Sequence, residues 1–127
     1  MMMASHARPR QAHDPEAVLA KAALSAARYL GLTNRGLALI LGTSEASVSR
    51  LHRQRALRQG SRESELAALF VRLYRSLDTL TGGDGAKARA WYEAPNRHLG
   101  GVPAERVTSV EGLVSVVQYL DAMRGKL

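Results

Sequence analysis

The sequence predicts an all-α fold, on three observations. Apolar residues recur at three- and four-residue steps through most of the chain, and nothing alternates with period two over a useful length. Most of these segments open on a residue that caps helices, and several close on glycine or proline. At 127 residues the chain can bury a core without staples, and it has no cysteine to form a disulfide, a zinc ribbon or a catalytic thiol.

Asp14-Pro15-Glu16 opens the first helix: an N-cap, a proline at the first helical position and an acid facing the positive end of the helix dipole. Val18, Leu19, Ala22, Ala23, Ala26, Ala27 and Leu30 then recur at helical spacing, and Gly31 ends the run. Thr33 caps a second helix over about 34–41, and Ser44 a third over about 45–55. Gln59-Gly60-Ser61 forms a turn and cap. A long amphipathic helix follows to about Thr81, carrying Leu66, Leu69, Phe70, Leu73, Leu77 and Leu80 on one face. Gly82-Gly83-Asp84-Gly85 breaks the chain, and Asp84 starts a short helix with Trp91 and Tyr92 that Pro95 ends. Residues 96–103 form a compact loop, with a helical turn around Pro103–Arg106. Thr108 and Glu111 are expected to form a capping box at the head of the last helix. That helix has an apolar face wider than a surface helix needs, so it is expected either to lie fully inside its own domain or to be shared with a partner, and the small size of the protein favours the partner.

The second and third helices carry the most informative pattern. Ala38 is small where two helices approach, and Gly42 stands at the turn, where a left-handed backbone costs least without a Cβ. Leu37, Ile40, Leu41, Val48 and Leu51 supply the apolar contacts between the two. This spacing is that of a helix-turn-helix, although a close crossing in an alanine- and leucine-rich bundle gives a similar string. Charge favours the first reading. Residues 1–62 hold ten Lys and Arg against three Asp and Glu, whereas residues 63–127 hold eight of each. The whole excess of +7 therefore lies in the half with the helix-turn-helix, as a polyanion partner requires. The expected DNA contacts are Thr33, Asn34 and Arg35, then Ser44, Glu45, Ser47 and Arg50 of the recognition helix, and Arg53 and Arg55 after it. The recognition-helix contacts Ser44, Glu45, Ser47 and Arg50 include no Gln or Asn to read adenine, and Glu45 repels phosphate unless it accepts from a cytosine amine. One helix-turn-helix reads few bases, so a homodimer on the operator is expected.

Catalytic and metal chemistry are not indicated. His6, His13, His52 and His98 lack ligand spacing, and His98 reads as a structural loop residue. Gly82–Gly85 follows a helix and lacks the Gly-Lys-Ser/Thr ending of a phosphate loop. No nucleophile elbow is present. An enzyme, a cofactor and a metal site are accordingly not expected. Residues 1–13 are basic, without the apolar stretch of a secretory signal, and are read as a disordered tail. No run approaches the ~20 apolar residues of a membrane span. With the missing cysteines this fits a cytoplasmic protein.

Trp91-Tyr92, Pro95-Asn96, Leu99-Gly100-Gly101, Pro103, Glu111-Gly112 and Val116-Val117 resemble the toxin-binding domain of the Xre/MbcA/ParS antitoxins. That family carries an Xre-like helix-turn-helix upstream, so the resemblance covers nearly all the ordered chain. It implies an antitoxin of a type II toxin–antitoxin system whose partner is a RES-type, NAD-consuming toxin, and whose other half represses the shared operon. The implied organisation is a helix-turn-helix domain over 14–62, a connecting helix over 63–82 and a toxin-binding domain over 83–127. Trp91, Asn96, Leu99, Gly100 and Gly101 are the expected toxin-facing residues of the loop region. Val116, Leu120, Met123 and Leu127 form a row on the last helix expected to dock into a toxin groove, with Arg124 and Lys126 beside it. The tail 124–127 is expected to be flexible and to enter the toxin's nucleotide cleft, and loss of 121–127 to leave folding intact. The residues alone also fit a free-standing helix-turn-helix regulator whose second half serves dimerisation.

Overall fold

The computed structural model describes residues 14–127, which form seven helices: α1 Pro15–Tyr29, α2 Asn34–Leu41, α3 Glu45–Gln54, α4 Arg62–Leu80, α5 Gly85–Glu93, α6 Pro103–Arg106 and α7 Val110–Arg124. The 1–13 segment lies outside the described residues. Among the described residues there is no strand, only one antiparallel bridge between Asn96 and Gly101.

The caps follow from local chemistry. Asp14 accepts the Glu16 N–H at 3.0 Å, Thr33 Oγ1 accepts from Gly36 at 3.0 Å, and Ser61 Oγ accepts from Ser64 at 3.1 Å. Each satisfies a backbone donor that has no partner inside its own helix. Glu16 also ties down the chain after α3, because its carboxylate takes the Gln59 N–H at 2.9 Å and its carbonyl the Leu57 N–H at 3.2 Å.

The spine is α4. Leu66, Ala67, Phe70, Val71, Leu73 and Leu77 are all buried on it. The helix packs on α1 and α2 along one part of its surface and most extensively on α7 along another. The buried apolar side chains form one cluster from Ala20 to Leu120. Residues 63–82 therefore belong to the core of both halves. Full burial of such side chains contributes about 1.5–3 kcal/mol each.

This packing explains the wide face of α7. Leu113, Val116, Val117 and Leu120 are at most 3 % exposed because α4 receives them. The expected external row is thereby corrected: Val116 and Leu120 have their partners within the chain. Met123 is half-buried, and only Val110 (46 %) and Leu127 (80 %) remain open on α7 and its tail.

The head of α7 also departs from expectation. Ser109, not Thr108, is the N-cap, its Oγ accepting the Gly112 N–H at 3.1 Å. The Thr108 hydroxyl instead donates to the Glu105 carbonyl at 2.8 Å, which closes the turn after α6. The register is set by Gly112. A Cβ at this position would stand 1.8 Å from the Arg106 carbonyl oxygen, so α6 and α7 meet backbone to backbone.

Candidate functional site

The recognition element is built from α2 and α3. Gly42 caps α2 in the left-handed region at φ 67°, and its N–H reaches the Ala38 carbonyl, so the chain reverses within three residues. The Ser47 N–H donates to Ser44 Oγ at 3.1 Å, which starts α3. Val48 and Leu51 point into the core beneath α3, together with Leu37, Ile40 and Leu41 of α2. Burying that face leaves Glu45, Ala46, Arg50, His52 and Arg53 exposed on α3.

Hydrogen bonds fix parts of the exposed surface. Arg50 Nη2 donates to Ser47 Oγ at 2.9 Å, and Ser44 donates to the same oxygen at 3.1 Å. Ser47 thus orients Arg50 while its own hydroxyl is engaged. Asn34 Oδ1 lies 3.2 Å from His52 Nε2, linking the start of α2 to the last turn of α3. Arg55 ends α3 with φ 55° and is the one described non-glycine residue at positive φ. Such a backbone costs an ordinary residue about 1–2 kcal/mol. The Arg55 Nε–H donates to the His52 carbonyl at 3.0 Å, satisfying an acceptor the helix leaves open. Thr33 acts as a cap, whereas Arg35 and Arg53 are exposed side chains with no structural task in view. The residues expected to contact DNA thus fall on α3 and the start of α2, with Arg50, Arg53 and Arg55 as the outward cations.

The second candidate surface gathers three separated segments. Tyr119 of α7 stacks against Trp91 of α5 with centroids 6.3 Å apart and planes at 13°. His98 of the loop stacks on the same ring at 5.8 Å and 25°. Trp91 and Tyr119 are half-buried and His98 is exposed, so the stack ends at solvent. Sequence reasoning found Trp91 but missed Tyr119 and His98, since no local signal joins them. Tyr92, next to Trp91 in α5, is buried, and its hydroxyl has no hydrogen-bond partner among the described residues. Burial raises its pKa well above the ordinary phenol value and keeps it protonated.

The expected toxin contacts divide by role. The Asn96 N–H donates to the Gly101 carbonyl at 2.9 Å, the Gly101 N–H returns to the Asn96 carbonyl at 3.2 Å, and Asn96 Oδ1 accepts from Leu99 at 3.2 Å. Asn96 therefore closes the loop. Gly100 needs its left-handed φ of 69°, whereas a Cβ at Gly101 would meet only the Arg106 side chain at an ordinary 3.6 Å. Leu99 is buried beneath the loop.

Arg124 is the last residue of α7 and not part of a loose tail. Its Nη1 donates to Ser76 Oγ at 3.1 Å; Ser76 is fully buried and donates to Asp121 Oδ1 at 3.1 Å, and Arg72 pairs with the other Asp121 oxygen. Loss of 121–127 would open this network, which weighs against the expectation that such a truncation leaves folding largely intact. Lys126 and Leu127 are the exposed end.

Among the described residues no cluster of His, Cys, Asp and Glu could hold a metal ion, and no helix is long and apolar enough to cross a membrane. Comparison with protein families gives two matches in series. Residues 9–72 match the antitoxin Xre-like helix-turn-helix domain, and residues 76–126 match the antitoxin Xre/MbcA/ParS C-terminal toxin-binding domain. The two meet within α4. A search of curated proteins finds no match. The chain belongs to the Xre/MbcA/ParS antitoxin family, with both of the family's domains present.

Proposed function

We propose that this antitoxin holds and blocks a RES-type, NAD-consuming toxin through its C-terminal half and represses its own operon through α3. The observation that carries the reading is the pairing, on one core, of a basic helix-turn-helix with a toxin-binding fold. The exposed Arg50, Arg53 and Arg55 suit phosphate neutralisation, and the uneven charge of the two halves assigns that task to the N-terminal one. The aromatic stack of Trp91, Tyr119 and His98, with the Asn96–Gly101 loop, is the surface that suits a protein partner. Aromatic anchors in partly desolvated settings contribute most to such contacts. The exposed Lys126 and Leu127, following the anchored Arg124, can meet a cleft without disturbing the fold. On DNA the protein acts as a homodimer in the cytoplasm, because one recognition helix contacts too few bases for operator specificity.

The test is coexpression with the product of a RES-type toxin gene, following growth, cellular NAD and copurification. Rescue of NAD with a stable complex is the expected result. A chain that regulates its promoter but neither binds nor neutralises that product is instead the free-standing regulator.

A further inference from the structure

A cavity of about 380 Å³ opens between α1, the start of α2 and the end of α3. Lys21, Arg28, His52 and Arg55 line it, and no carboxylate among the described residues does. Lys21 and Arg28 are both exposed and stand seven residues apart on α1, so they share one face of that helix. Their spacing along the axis is about 10 Å, a length over which one DNA strand carries roughly three phosphates. Across the opening, α3 contributes His52, whose contact with Asn34 forms part of the wall. Both guanidinium groups of the lining are already held. Arg28 lies 5.1 Å from the centroid of the Tyr29 ring, and Arg55 is tied through Nε to the His52 carbonyl. Held cations lose less side-chain freedom when an anion arrives. The cavity on the other side of α3 is different: there Arg50 and Arg58 share the lining with Glu63. Of the two cavities beside α3, the one on the α1 side is thus the one lined by cations without an acid; a further cavity between α1, α4 and α7 also gathers Arg72, Arg75 and Arg124 without a lining carboxylate, but there Asp121 pairs with Arg72.

We propose that this cavity receives backbone phosphates of duplex DNA, with Lys21 and Arg28 of α1 as contacts additional to the recognition helix. The proposal rests on the DNA-binding reading above. It places the flanking strand over α1. A free phosphate ion shares the chemistry, so the test separates the two sources.

The experiment titrates full-length protein into labelled duplex from its own upstream region, and into an unrelated duplex, at several salt concentrations. Lys21→Ala with Arg28→Ala is compared with Lys87→Ala with Arg97→Ala, an equal change of charge on exposed residues of the C-terminal half. The α1 pair should lower the slope of log K against log salt by ~0.9 for each phosphate no longer neutralised, and the control pair should not. The weakening should be equal on both duplexes, because phosphate contacts carry no sequence information. Equal behaviour of the two pairs overturns the site. Failure of the unmodified protein to bind any duplex overturns both the site and the DNA-binding reading. Replacing chloride by inorganic phosphate at constant ionic strength tests the other source. Phosphate-dependent amide shifts at Lys21 and Arg28, with an unchanged DNA slope, would assign the cavity to a free anion and overturn the proposal.

Discussion

Gly112→Ala should be the most damaging small substitution in the C-terminal half. The new Cβ would sit 1.8 Å from the Arg106 carbonyl oxygen and 2.7 Å from its carbonyl carbon, against at least 3.4 Å for an ordinary contact. Relief needs a backbone displacement of roughly 1.5 Å, since both atoms belong to the main chain and have no rotamer to change. Helix propensity acts the other way, favouring alanine by about 1 kcal/mol. Overpacking of a tight core costs about 1–3 kcal/mol or more, and a contact this short belongs at the upper end. The net expectation is a destabilisation of about 2 kcal/mol. Gly36→Ala supplies the opposite sign. Its Cβ would meet Leu32 and Thr33 side-chain atoms at 3.5 Å, an ordinary distance, at a helical position without positive φ. That change should stabilise by about 0.4–1 kcal/mol. Urea unfolding of both variants, followed by circular dichroism, measures the pair. Equal stabilities, or a more stable Gly112→Ala, would refute the close-approach argument.

Tyr92→Phe should be neutral or stabilising by about 1 kcal/mol, because it removes a buried hydroxyl without a partner among the described residues. The raised folded-state pKa of Tyr92 means that the folded chain retains a proton the unfolded chain releases above pH 10, so unfolding exposes an ionising phenol and stability falls as pH rises beyond that point. Alkaline unfolding curves should show a smaller drop in Tyr92→Phe. Ser76→Ala should cost about 1–2 kcal/mol by removing the hydroxyl shared by Asp121 and Arg124. Deletion of 121–127 should cost more and deletion of 125–127 almost nothing, as thermal melts would record. Tyr119→Ala should shift the emission of Trp91, the one tryptophan, to longer wavelength by uncovering its face, and should weaken toxin binding measured by calorimetry.

Most helix boundaries were legible because they are written in local chemistry. Asp14-Pro15, Thr33, Gly42, Ser44, Ser61 and Asp84 each act within four residues of their own position. The helix-turn-helix was legible for the same reason. Thr108 and Ser109 show the limit: adjacent hydroxyls have equal capping chemistry, and the approach of α6 to α7 at Gly112 decides between them. The wide face of α7 was visible, but its partner was not. Periodicity gives the width of an apolar arc, while the receiver of that arc, here α4, is a long-range matter. The Trp91–Tyr119–His98 stack was out of reach likewise, because its members come from α5, a loop and α7. Arg124 was misread as tail because its partner Ser76 lies 48 residues away.

That one core carries two separable interfaces is tested most directly by the Arg50→Ala, Arg53→Ala double variant, with promoter repression and toxin neutralisation measured in the same cells. Both side chains are exposed on α3, which packs on α2, whereas the aromatic stack is built from α5, the loop and α7, so folding and the C-terminal surface should be unaffected. The expected result is a derepressed reporter with growth and NAD fully protected, and a salt slope for DNA binding in vitro reduced by ~0.9 per phosphate released. Full repression by the variant, or failure of toxin neutralisation together with repression, would contradict the two-interface account.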